Sequence, residues 1–166
     1  PPADENENIE EEIKVAIIGK PNVGKSSLLS KIVGQKRSIV SNIAGTTRDA
    51  TDTPFENAYG TYILIDTAGI RRHNKINENI EKYSVIRTHL AIERSDVCLV
   101  LIDAQEGVTD QDARVLGEAH EARKGIIIVI NKWDLVEKAN NTVKDFTNKI
   151  RTEIAYMPLA DRKSAV

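Results

Sequence analysis

Eight residues, Gly19-Lys-Pro-Asn-Val-Gly-Lys-Ser26, confine this chain to a narrow set of architectures. They fit the phosphate-loop pattern G-x-x-x-x-G-K-[ST]. The apolar run Val15-Ala16-Ile17-Ile18 precedes them and a helix-compatible run, Ser26 to Val33, follows. A strand therefore feeds a glycine-rich turn that feeds a helix. That order aims backbone N–H groups and the positive helix end at one point, which suits a polyphosphate. Lys25 is expected to reach the outer phosphates, and the Ser26 hydroxyl to hold Mg²⁺. An ordinary strand-to-helix turn with two glycines would require neither side chain; here strand, spacing, Lys and Ser agree.

The 166 residues suffice for one globular domain with a real core and are too few for two ordinary ones. Apolar residues at 40% and charged residues at 29% are normal for a soluble protein. No apolar run approaches the roughly 20 residues of a membrane span, and no secretory signal pattern is visible. The single cysteine, Cys98, lies in the apolar run Val97 to Ile102 and has no partner for an internal disulfide. Core packing and a cytoplasmic location are the expectations.

The net charge of −2 conceals an uneven distribution. Asp4, Glu5, Glu7, Glu10, Glu11 and Glu12 stand in the first twelve residues with no base among them, so the remainder carries a basic excess of four. A Pro-, Asn- and Glu-rich lead cannot bury enough apolar surface to fold alone. Residues 1–12 read as an acidic, disordered linker or tail rather than an interaction arm, and 13–166 as one domain.

Ile13 to Ile18 reads as a buried strand, and the helix after the phosphate loop runs from Lys25 to Val33, ended by Gly34. Residues 35–50 have little periodicity and contain Gly45-Thr46-Thr47-Arg48-Asp49, a long loop of the kind that is usually functional or mobile. Thr51 to Phe55, the turn Asn57-Ala58-Tyr59-Gly60 and Thr61 to Ile65 suggest a hairpin that grafts one antiparallel strand onto a parallel sheet. Ile80, Tyr83, Ile86 and Leu90 recur at helical spacing and predict an amphipathic helix over 79–94. A strand over Val97 to Ile102, a helix over Asp110 to Arg123 with Val115, Leu116 and Ala119 inward, a strand over Ile126 to Ile130 and a helix over Asn141 to Ile154 follow. Alternating strands and helices with continuously apolar strands predict an α/β three-layer fold of the P-loop NTPase kind. Tyr156 to Ser164 has a proline and no β-branched run, so no further core strand is assigned there and the C-terminal end reads as incomplete.

Further pieces fall in order along the chain. Asp66-Thr67-Ala68-Gly69 follows the Thr61–Ile65 strand: Asp66 would face the metal, and the Gly69 N–H would approach a γ-phosphate. Thr47, preferred to Thr46, can complete the Mg²⁺ shell through its hydroxyl. Asn131-Lys132-Trp133-Asp134 follows the Ile126–Ile130 strand. Its aspartate can accept from both the ring N–H and the exocyclic amine of guanine. Adenine lacks that amine and presents a lone pair at the ring nitrogen, so GTP is expected and ATP rejected. Asn131 would tie this loop to the phosphate loop, and the Lys132 stem would cover a base face.

Together these motifs resemble the Era-like/TrmE branch of the Ras-superfamily GTPases. Glu81-Lys-Tyr-Ser-Val-Ile-Arg-Thr88, Ala91-Ile-Glu-Arg94, Ile102-Asp-Ala-Gln-Glu-Gly107 and Asp110-Gln-Asp112 narrow the resemblance to the tandem GTPases of the Der (EngA) family. The second G domain fits best, because an acidic linker leads into it. The similarity covers residues 9–154. It implies a Ras-like G domain, cut from a protein that also has another G domain and a KH-like domain, acting on GTP and GDP in assembly of the large ribosomal subunit. The implied nucleotide-binding set is Gly19, Lys20, Pro21, Asn22, Val23, Gly24, Lys25, Ser26, Ser27, Asp66, Thr67, Ala68, Gly69, Ile70, Asn131, Lys132, Asp134, Ser164 and Ala165. Ser164-Ala165 would reach the guanine oxygen, although Tyr156 to Lys163 is not the apolar strand that should deliver them. Mg²⁺ would use Ser26, Thr47 and Asp66.

Two features bear on chemistry. Ras-like enzymes put a water-orienting Gln where this chain has Ile70, whose side chain cannot hydrogen-bond water. Relatives with a Pro21-Asn22 loop place K⁺ beside the phosphates, with the Asn22 amide oxygen as ligand, where it offsets charge developing between the β- and γ-phosphates. Slow, potassium-stimulated hydrolysis with Lys25, Thr47 and Asn22 as catalytic residues is therefore expected. The alternative is a nucleotide-gated ribosome- or RNA-binding module with little hydrolysis of its own. His73, His89 and His120 lack metal-ligand spacing with any cysteine or acidic cluster. Arg71, Arg72, His73 and Lys75 form either a solvated basic loop or a surface that presents charge to rRNA phosphates in one nucleotide state. Few aromatics are present and none forms a platform for single-stranded RNA. A monomer with no membrane contact is expected.

Overall fold

Continuously apolar strands require cover on both faces of their sheet, and alternate residues of these strands go to two separate cores. The computed structural model describes residues 11–34, 50–73 and 81–155, with the backbone alone for residues 72, 73 and 81–84. Strand β1 (Ile13–Gly19) leads into helix α1 (Lys25–Gly34); β2 (Thr53–Asn57) and β3 (Gly60–Ile65) form the hairpin. Helices α2 (Thr67–His73) and α3 (Glu81–Arg94) follow, then β4 (Val97–Asp103), α4 (Asp110–Glu121), β5 (Gly125–Asn131), a 3₁₀ turn (Trp133–Leu135) and α5 (Thr142–Glu153).

The sheet order is β2-β3-β1-β4-β5. Among the described residues only β2–β3 is antiparallel; β1 pairs in parallel with β3 and β4, and β4 with β5. Parallel pairing brings the C-terminal ends of β1, β3, β4 and β5 to one edge of the sheet. This is the edge at which open α/β sheets bind ligands. Ala16, Ile18, Ile63, Ile65, Cys98, Val100 and Ile102 form one core with Ala91 and Ile92 of α3 and Leu116 and Ala119 of α4. Val15, Ile17, Leu64 and Leu101 form the other with Val23, Leu29 of α1 and Ile70 of α2. Beside α1, the second face opens into an apolar groove lined by Val15, Leu28, Ile32, Tyr62, Leu99 and Ile127, among others.

Three elements differ from expectation. The hairpin strand starts two residues late, at Thr53, with Ala58-Tyr59 as its turn and the Tyr59 N–H donating to Asn57 Oδ1 at 2.7 Å. Helix α2 occupies a stretch read from sequence only as a motif and a basic segment. Helix α3 is present, but the Ile86–Leu90 stripe that signals it is not the face it buries. Ile86 and Leu90 are more than half exposed, while Ala91 and Ile92 pack inward. Helix α3 touches the sheet through its last turns, so small Ala91 and neighbouring Ile92 decide the contact. Helix α4 starts where its capping box dictates: Thr109 Oγ1 accepts from the Asp112 N–H, and Asp112 Oδ2 accepts from the Thr109 N–H. Residues 1–10, read from sequence as a linker, Thr46 and Thr47, Lys75, and Ser164 and Ala165 lie outside the described residues.

Candidate nucleotide site

The phosphate loop is shaped by close approach and by backbone that only small residues tolerate. A Cβ on Gly19 would stand 2.7 Å from the Leu101 carbonyl oxygen, so the loop leaves β1 flush against β4. Gly24 has φ +106°, and a Cβ there would lie 2.1 Å from Asn131 Nδ2. That space is used: Asn131 Nδ2 donates to the Val23 carbonyl at 2.8 Å, tying the end of β5 to the loop across 108 residues of sequence. Val23 itself is buried in the second core. Pro21, Asn22 and Ser27 are exposed, and Asn22 adopts φ +62°.

Lys25 Nζ donates to the carbonyls of Gly19 at 2.6 Å and Lys20 at 2.7 Å. It is surrounded by main chain, and burial pulls its pKa from 10.5 to about 8. Ser26 Oγ donates to the Ile70 carbonyl at 3.2 Å. The Lys20 side chain turns away from the loop toward Glu106 and Asp112.

Asp66 ends β3 in a left-handed conformation, φ +51°, with its N–H donating to Asp52 Oδ1 at 2.8 Å. Asp52 is in turn paired with Arg94 of α3. The Asp66 carboxylate faces Arg87 of α3, with Nε 3.3 Å from Oδ2. Thr67 anchors the start of α2 through hydrogen bonds with the Thr51 carbonyl at 3.0 Å and the Thr53 hydroxyl at 2.6 Å. Ala68 donates its N–H to Thr51 as well, at 3.1 Å. A Cβ on Gly69 would stand 2.7 Å from Asp66 Oδ2 and 2.9 Å from the Arg87 guanidinium, so the Asp66–Arg87 pair would have to shift. Ile70 is buried in the core under α1, so its side chain packs there instead of addressing a ligand.

At the other end of the site, Lys132 takes φ +60° and its ammonium pairs with Asp103 Oδ2 at 2.7 Å. The hydrogen bond from Lys132 holds the Asp103 carboxyl below the usual carboxylate range, prevailing over burial, with the Gln105 N–H assisting. The Ala104 N–H donates to the Asn131 carbonyl at 2.9 Å, locking the ends of β4 and β5 together. Trp133 meets Phe146 of α5 edge to face, ring centres 5.5 Å apart, and steadies the 3₁₀ turn. Asp134 is exposed on that turn.

Lys25, Ser26, Asp66, Gly69, Asn131, Lys132 and Asp134 therefore share one edge of the sheet. The donor set fits Mg²⁺: the Ser26 hydroxyl and the Asp66 carboxylate, both hard oxygens, border the same turn of α2 at Ile70 and Gly69. Sequence reasoning assigned no role to Asp52, Asp103 or Glu106 and did not pair Arg87 with Asp66. Asp103, Glu106 and Arg87 stand in stretches that carry the resemblance, but each acts through a long-range charge pair that local spacing does not reveal.

The sequence pattern described as 50S ribosome-binding GTPase matches residues 14–132. The chain is similar to GTPase Der of Alkaliphilus metalliredigens, 66% identical over 148 residues that cover 89% of this chain and 34% of that protein. It is 58% identical to GTPase Der of Thermoanaerobacter pseudethanolicus over 159 residues, 96% of this chain and 36% of that one. The chain thus spans about a third of the length of the relatives it matches. Among solved structures it superimposes with a TM-score of 0.62 and 31% identity on Era in complex with MgGDPNP and nucleotides 1506–1542 of 16S ribosomal RNA. That match covers 89% of this chain and 49% of Era. With the P-loop architecture, the phosphate loop and the Asn131 tether in place, the chain belongs to the family of 50S ribosome-binding GTPases.

Proposed function

We propose that this domain binds GTP with Mg²⁺, hydrolyses it to GDP and phosphate, and acts as a cytoplasmic switch in assembly of the large ribosomal subunit. The observation that carries the reading is the Asn131–Val23 hydrogen bond. It joins the loop that would read the base to the loop that would cradle the phosphates, so one guanine nucleotide spans both. Asp134, exposed on its turn, accepts from the guanine ring N–H and amine. Lys132 keeps its stem along the base while Asp103 holds its ammonium. Lys25 exchanges two carbonyls for phosphate oxygens. Ser26 and Asp66, with Thr47, would hold Mg²⁺, which supplies charge neutralisation on the phosphates. The relatives' name and the family description support the ribosomal role. Arg71, exposed on α2 beside the metal-facing motif, is a candidate contact for phosphate-rich partners.

Ile70 favours a second reading, a nucleotide-gated module with little turnover, because its buried side chain cannot orient water. In the first reading K⁺, held by the Asn22 amide oxygen, substitutes for that device by offsetting developing charge. Phosphate release by the chain, with GTP and ATP in parallel and in KCl against NaCl, separates the two. Release from GTP alone, stimulated by KCl and lost in Asn22→Ala, supports the hydrolytic reading. Release no greater than that of a Lys25→Ala control leaves the module, and equal use of ATP removes the guanine reading.

A further inference from the structure

Lys20 is inside the phosphate loop by sequence, yet its side chain leaves the loop. Its ammonium hydrogen-bonds Glu106 in the β4–α4 connection and lies 3.6 Å from Asp112 Oδ2 at the start of α4. The Lys20 side chain is 12% exposed and that of Asp112 only 1%. Asp112 Oδ2 is already committed to the capping box, accepting from the Thr109 N–H and hydroxyl, both at 2.9 Å. Its other oxygen, Oδ1, has no hydrogen-bond partner among the described residues. A carboxylate this buried and half-satisfied needs a compensating charge, and Lys20 is the cation beside it. Meanwhile the Lys20 carbonyl, with that of Gly19, receives the Lys25 ammonium. One residue therefore faces two ways: side chain to α4, main chain to the phosphate-binding lysine.

We propose that Lys20 is a positioning residue, whose ammonium, anchored on Glu106 and Asp112, fixes the 19–20 carbonyls and so sets where Lys25 waits for phosphate. The loop then has two tethers: Lys20 to the β4–α4 connection at its start, and Asn131 to Val23 at its middle. Pro21 and Asn22, exposed between them, are held from both sides.

This inference rests on the nucleotide reading above, and the test keeps the two apart. Binding and dissociation of a fluorescent GDP in Mg²⁺ are measured for the wild-type chain, Lys20→Met, Lys20→Arg, Glu106→Gln and Lys20→Met/Glu106→Gln, with thermal midpoints alongside. Loss of a partly buried charged hydrogen bond predicts that Lys20→Met and Glu106→Gln each weaken binding about 3- to 10-fold through faster dissociation. The double variant is no weaker than Lys20→Met, because both remove one anchor. Lys20→Arg restores most of the affinity, which a merely structural loss would not explain. Should Lys20→Met fail to fold, Glu106→Gln, at an exposed carboxylate, carries the same comparison. Wild-type binding together with Glu106→Gln within twofold of it, or additive losses in the double variant, overturns the anchor alone. Absence of GDP binding by the wild type overturns the nucleotide reading and this inference with it.

Discussion

The Lys25 ammonium donates to two main-chain carbonyls, and partial burial lowers its pKa to about 8. An unfolded lysine titrates near 10.5, so between these values the unfolded chain holds more protons than the folded one. Stability therefore rises with pH through that window. The cost of burying the charged amine is present in full below pH 8 and relieved as the folded group deprotonates. Phosphate oxygens would reverse the balance by favouring the charged form. At pH 8.5 the free amine is mostly neutral, so GDP binding should take up roughly 0.8 proton. Calorimetric titrations in two buffers of different ionisation enthalpy read this directly, and Lys25→Arg, always charged, should show no uptake. Equal binding enthalpies in both buffers for the wild type would refute the assignment. The phosphate loop and the Asn131 tether were legible in the sequence because both are written as motifs at fixed spacing. The Lys25 environment was not, since carbonyl positions depend on where β4 packs against Gly19.

At the scale of elements, α2 and α3 converge on Asp66. Seven residues with a glycine among them, Thr67–His73, are too short for helical periodicity to register. Helix α2 exists through tertiary ties: Thr67 to Thr51 and Thr53, Ile70 in the core. The strands and α1, α4 and α5 were legible because their periods are long or their caps strong. The buried face of α3 was misread because its large apolar residues are not those nearest the sheet. That orientation also turns Arg87 onto the Asp66 carboxylate, the group proposed above to hold Mg²⁺. On that proposal arginine and Mg²⁺ compete for one carboxylate. Both partners are partly solvated, at 35% and 24% exposure, which keeps the pair weak. Arg87→Ala should lower the Mg²⁺ concentration that half-protects bound GDP from release by about 2- to 5-fold. A raised midpoint in a GDP-release assay would mean that Arg87 helps hold Asp66 for the metal instead, and an unchanged one that the two do not compete.

Across the whole molecule, the two cores are unequal in function. The core under α1 contains Val23 of the phosphate loop, Ile70 next to the Asp66–Gly69 motif and Leu101, on whose backbone Gly19 rests. The opposite core holds Ile102 among Ala91, Leu116 and Ala119, and supports α3 and α4. Leu101 and Ile102 are adjacent on β4, both fully buried, and point to opposite faces. Truncating either to alanine should cost about 2–5 kcal/mol in urea unfolding, the usual range for a buried aliphatic. Their responses to ligand should diverge. A ligand at 100 times its dissociation constant stabilises the folded chain by about 2.7 kcal/mol. Ile102→Ala should keep that increment at the wild-type GDP concentration, since its cavity opens away from the site. Leu101→Ala should lose much of it, because Val23 loses the side chain it packs with, although Gly19 keeps the Leu101 backbone it rests on. Equal increments in the two variants would show that the phosphate loop is held by its own tethers, Lys20 and Asn131, and draws nothing from the core beneath it.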